Sequence, residues 1–94
     1  MYVIIQEFPS RYDNPPVRTS HAGTDTRRGT RNRAARIAKR FPAAKFYVCD
    51  TQFVEMPDLG MPPSWVLELF PMDLLWWDVE RSKLQHRPLD TPDP

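Results

Sequence analysis

A chain of 94 residues with a formal charge of +1, 40% apolar residues and 11 prolines has room for one domain and a modest core, burying about 60–65% of its unfolded surface. That size argues against a deep internal active-site cleft, no apolar run approaches the ~20 residues of a membrane helix, and the single cysteine, Cys49, excludes an intrachain disulfide. Prolines at about twice the usual frequency confine secondary structure to the stretches between them.

Residues 2–8 are rich in β-branched and aromatic side chains and stop at Pro9, which predicts a strand. Both of its faces, Val3/Ile5 and Tyr2/Ile4, are apolar, so an interior position is expected. Because this apolar start runs directly into Gln6 and Glu7, no signal-peptide core is expected, and the cytoplasm is the expected compartment. Residues 10–29 contain Asp13-Asn14-Pro15-Pro16, Gly23 and several threonines without an apolar period, the pattern of a long loop. The clearest helix covers residues 30–41: Thr30 can cap it, Ala34, Ile37, Ala38 and Phe41 form a buried stripe, and Pro42 ends it. Residues 45–54 read as a second strand, again apolar on both faces. A rigid proline-rich connector follows at 56–63. The run Trp65-Val66-Leu67-Glu68-Leu69-Phe70 suits a third strand or an extended segment, and short apolar runs also fit a helix.

Pro71 suits the first position of a helix over residues 72–85. In that helix Met72, Leu75, Trp76 and Val79 would form the core stripe, and Leu74, Trp77 and Leu84 a second stripe on the far side. The expected fold is therefore a small single α+β domain over residues 1–86: a β-α-β core, a third strand or extended segment, and a C-terminal helix. Residues 87–94, polar and proline-rich, are expected to form a disordered tail.

Charge is distributed unevenly along the chain. Residues 1–50 carry ten Lys/Arg against four acids, whereas residues 51–94 carry three against eight. Arg33, Arg36 and Arg40 fall on the outer side of the predicted helix, and Arg27, Arg28 and Arg31 lie before or at its start. Together they form a candidate site for an anionic partner, since the planar guanidinium donates paired hydrogen bonds to phosphate or carboxylate. No acid interrupts the chain between Thr26 and Cys49. The plainer readings are solubilising side chains, or contacts with the acidic half of the same or a second chain. Leu74, Trp77 and Leu84 are the candidate apolar interface, because Trp is enriched at the energetic centres of protein contacts.

Catalytic chemistry has little support. His21, Cys49 and His86 lack metal-ligand spacing, and Cys49 within an apolar strand reads as a small buried hydrophobe. The run from Gly23 to Thr30 lacks the Gly-Lys-Ser/Thr ending of a phosphate loop. Pro57-Asp58 followed by Glu68 follows the order of a common nuclease motif, but Phe70 stands where that motif needs lysine. Asp78 and Glu80 diverge on a helix. No catalytic, cofactor or metal residue is assigned, and the expectation is a protein that is not an enzyme.

The run Thr30-Arg31-Asn32-Arg33-Ala34-Ala35-Arg36-Ile37-Ala38-Lys39-Arg40-Phe41-Pro42, followed by Lys45-Phe46-Tyr47-Val48, resembles the helix-proline-strand core of small phage- and prophage-encoded β-α-β proteins of unknown function. The resemblance covers residues 1–54. It implies a viral accessory protein acting in the host cell cytoplasm by blocking or modulating a bacterial host factor. The leading expectation is thus a non-enzymatic protein-binding module that self-associates as a homodimer or larger homo-oligomer. The alternative is a nucleic-acid-binding protein that uses the basic helix and the preceding loop. No membrane partner is expected.

Overall fold

The computed structural model describes residues 1–10, 13–56 and 64–89, and the backbone alone at 53–56 and 64–67. Its elements are β1 (Tyr2–Phe8), β2 (Val17–Ala22), α1 (Arg27–Arg40), β3 (Lys45–Met56), β4 (Ser64–Asp78) and β5 (Lys83–Pro88). The five strands form one sheet in the order β2-β1-β3-β4-β5, and every neighbouring pair is antiparallel.

This architecture overturns the expected β-α-β core with a C-terminal helix. β1 and β3 do flank α1 in the chain, but they pair directly and antiparallel, Tyr2 opposite Asp50 and Glu7 opposite Lys45; β2 lies between β1 and α1 in the chain. The predicted helix over 72–85 is instead the second half of β4, a turn at 79–82, and β5. Val79, assigned to the core by helical spacing, is 70% exposed in that turn. The strand alternative for Trp65 to Phe70 is the one adopted, as part of β4. Arg87 and Pro88, placed in the tail by composition, complete β5, and Leu89 N–H donates to Met72 O. Residues 90–94 and most of the expected connector, 57–63, lie outside the described residues.

The loop expected over 10–29 also contains structure. β2 pairs with β1 from Val3 opposite Ala22 to Phe8 opposite Val17. Its side chains are mostly exposed, so no apolar period marks it; backbone pairing, an Arg18–Glu7 ion pair at 2.9 Å and a contact of His21 Nε2 with Gln6 Oε1 at 2.7 Å hold this edge strand. α1 begins at Arg27 because Thr26 is the cap: its Oγ1 accepts from Gly29 N at 3.0 Å, satisfying one of the helix's orphan donors. Thr30, the expected cap, is fully buried one turn in. Its hydroxyl donates to Thr26 O and accepts from Thr24 N. At the other end Phe41 N–H reaches Ile37 O and Ala38 O, and Pro42 prevents continuation.

α1 packs on one face of the sheet. Arg27, Thr30, Ala34 and Ala38 recur at three- and four-residue spacing and face inward, the last three buried. Beneath them lie Ile4, Phe46, Val48 and Leu75, with Ala44, and Tyr2, Phe8, Ile37 and Leu84 close the margin. Phe8 and Phe41 meet edge to face at 6.0 Å. Gly23, between β2 and α1, is required by close approach: a Cβ there would stand 2.6 Å from Tyr2 C and 2.9 Å from Thr30 Cγ2. Gly23→Ala is expected to cost about 1–3 kcal/mol by overpacking, read as a lower urea midpoint at unchanged slope.

β4 accommodates Pro71 through a bulge. Val48 pairs with Asp73 but Cys49 with Pro71, leaving Met72 as the extra residue, and β5 pairs with β4 only from Asp73 onward. Proline is tolerated in sheets at such irregular positions with a free edge. Beyond Thr51 in β3 and before Met72 in β4, the two strands pair only with each other among the described residues. No helix among the described residues is long and apolar enough to cross a membrane.

Candidate functional site

The six candidate arginines do not act as one group. Arg27 faces the sheet, where its Nε donates to Asp73 Oδ2 at 2.7 Å and its Nη2 to Asp73 Oδ1 at 3.0 Å and Met72 O at 2.9 Å. It is a structural tie between α1 and the β4 bulge. Arg33 is exposed but donates to Ala22 O at 3.1 Å, bracing the end of β2. Arg28, Arg36 and Arg40 are exposed on the outer side of α1 together with Asn32 and Lys39, and Arg31 is half-buried at its border.

Asp73, which suits the start of the expected helix by its charge and is not among the candidate site residues, is fully buried on β4. Its Oδ1, which accepts from Arg27 Nη2, also accepts from His86 Nε2 at 2.6 Å, so one carboxylate joins α1, β4 and β5. Burial alone would raise its pKa; the hydrogen bonds from Arg27 and His86 and the charge of Arg27 outweigh that, and the carboxyl is held below its ordinary value. The only sequence signal was the mismatch of an acid within an apolar run. This cluster closes the fold by tying α1 to β4 and β5.

The candidate apolar trio is also divided. Trp77 pairs with Leu84 across β4 and β5, and Leu84 packs against the core under α1. Leu74 alternates to the opposite, helix-free face. With strand periodicity in place of helical periodicity, Leu74 shares that face with Val3, Ile5, Tyr47 and Trp76. Register aligns one row as Arg18, Glu7, Lys45, Trp76 and Gln85, and the next as Ser20, Ile5, Tyr47, Leu74 and Arg87. Two shallow hollows mark it: one of about 480 Å³, lined by residues including Ile5, Tyr47, Cys49 and Leu69, and one of about 330 Å³ lined by Lys45, Leu74, Trp76 and Arg87. Trp76, expected in the core, is half-buried here, and no described element covers it.

Cys49 lies on this face but is only 2% exposed between its neighbours, and burial pushes its thiol up to about 11. Because the thiolate is the reactive species, Cys49 is expected to resist a disulfide reagent at pH 8 in the folded protein and to react fully once urea unfolds it. Among the described residues no three His, Cys, Asp or Glu side chains cluster as metal ligands. No family model, curated protein or solved structure matches the chain.

Proposed function

We propose that the protein is a small non-enzymatic binding module that docks on protein through the helix-free face of its sheet. The observation that carries this reading is a group of half-buried apolar side chains on the helix-free face, set among Glu7, Arg18, Lys45 and Arg87. An antiparallel sheet with one wet face normally alternates apolar and polar residues, whereas Val3, Ile5, Tyr47, Leu74 and Trp76 alternate away from the core that α1 covers. Partly exposed apolar side chains that no described element covers suit a contact site, and Trp76, beside Tyr47 and Leu74, is the type of residue that dominates binding energy.

The reading includes self-association, because the same face on a second copy would stack sheet on sheet at about 10 Å. It also includes a bacterial host protein as target, on the resemblance of residues 1–54 to phage-encoded chains, with the host cytoplasm as the setting. Sedimentation velocity across a concentration series, together with capture from nuclease-treated bacterial lysate, tests it. Trp76→Glu is expected to weaken association by about thirtyfold or more while leaving the circular dichroism spectrum unchanged. A concentration-independent monomer removes self-association, and a monomer that also captures nothing Trp76-dependent overturns the reading as a whole.

A further inference from the structure

Among the described residues α1 is the single element on its side of the sheet, so its outer side stands clear as a ridge. That ridge presents Arg28, Asn32, Arg33, Arg36, Lys39 and Arg40, all exposed. Among the described residues none of the five bases forms an ion pair with another residue, whereas Arg18–Glu7, Arg27–Asp73, Arg81–Asp78 and His86–Asp73 do. Charges of one sign on an isolated helix repel at three- and four-residue spacing, so the arrangement opposes helix stability unless an anion is bound.

We propose that this ridge is a second binding surface, separate from the sheet face, that engages the phosphate backbone of duplex DNA with α1 laid in the major groove. Three features select a nucleic acid over an acidic protein. Protein interfaces draw their affinity from a desolvated apolar or aromatic anchor, and the ridge has none between Arg28 and Arg40. Four of the five bases are arginine, whose fork matches phosphate oxygens in pairs. Arg28, Arg33, Arg36 and Arg40 are separated by 5, 3 and 4 positions, about 4.5–7.5 Å along the axis, so successive arginines can reach successive phosphates. An α-helix about 10–12 Å across fits the ~12 Å major groove of B-form DNA. With Asn32 as the sole uncharged polar side chain named on the ridge, contacts fall on the backbone and sequence preference is weak.

The test is fluorescence anisotropy of a labelled duplex of about 20 base pairs over roughly 50–200 mM KCl, where five phosphate contacts give a log–log salt slope of about −4 to −5. Arg36→Ala and Arg40→Ala are each expected to weaken binding and to take about one unit off that slope. Arg81→Ala, which removes one exposed base from the turn at 79–82 outside both proposed surfaces, is expected to leave both unchanged, so the loss reports the ridge and not net charge. No binding at the lowest salt, or a slope unmoved by both ridge variants, overturns the inference. Equal displacement by poly-glutamate of matched charge assigns the ridge to an acidic protein instead, and tighter binding to single strands or to duplex RNA removes the major-groove placement.

Discussion

Asp73→Ala is expected to lower the unfolding free energy by about 3–5 kcal/mol, because it removes the buried carboxylate that accepts from Nε and Nη2 of Arg27 under the β4 bulge. Arg27 has its side chain only 29% exposed and Asp73 is wholly enclosed, so solvent cannot replace the lost partner well. Urea denaturation monitored by tryptophan fluorescence measures the loss. The double variant Arg27→Met/Asp73→Leu is the discriminating control: removing both charges is expected to recover most of the stability, as apolar replacement of buried pairs often does. If the double variant is as unstable as the single, the loss comes from packing and not from an orphaned charge. The same carboxyl gives an acid signature. Its folded pKa lies below the unfolded value of about 3.9. Its contribution is therefore complete above that pH and declines as pH falls toward the folded value, since the unfolded chain then binds a proton that the folded chain excludes. Asp73→Asn removes that component, and its stability is expected to fall less steeply below about pH 4.

Phe46→Ala is expected to cost about 3–5 kcal/mol. Among the described residues Phe46 is the largest fully buried side chain, and it lies on the central strand β3 beneath α1, so its removal opens a cavity that neither the sheet nor the small Ala34 and Ala38 can fill. For a domain of this length that is a large share of a total near 5–14 kcal/mol. Phe46→Leu, which preserves much of the volume, is expected to cost under about 1.5 kcal/mol. Thermal melts of the two variants separate cavity formation from loss of the aromatic ring: similar losses for both would assign the effect to the ring.

The elements legible in the sequence were those with one dominant period or a hard stop. β1 ends at Pro9, the C-terminus of α1 at Pro42, and β3 has a β-branched and aromatic run that allows little else. The doublets Leu74-Leu75 and Trp76-Trp77 satisfied helical and strand spacing together, so periodicity could not separate them, and Pro71 tipped the expectation toward a helix start. A proline at a bulge beside an unpaired edge has no hydrogen bond to lose, and only the register reveals that. β2 was illegible because an exposed edge strand is held by backbone pairing and needs no apolar face. Thr26 and Thr30 offered the same capping chemistry, and Gly29 made residues 27–29 resemble loop. Among the candidate residues, the outer basic positions of α1 follow directly from helical spacing. Arg27 was misplaced by the late helix start. The apolar trio was grouped by a period the chain does not use, which concealed the sheet face that Leu74 shares with Trp76.

The buried carboxylate also sets an order of events during synthesis. Arg27 emerges first, but its partner Asp73 comes 46 positions later, and His86 follows 13 positions after that. The helix is completed in sequence at Phe41, but the carboxylate that receives its first residue is not available until Asp73 has been translated. Docking of α1 on the sheet and closure of the β4–β5 hairpin therefore meet at one residue, so a nascent chain halted before His86 lacks the contact that locks them together.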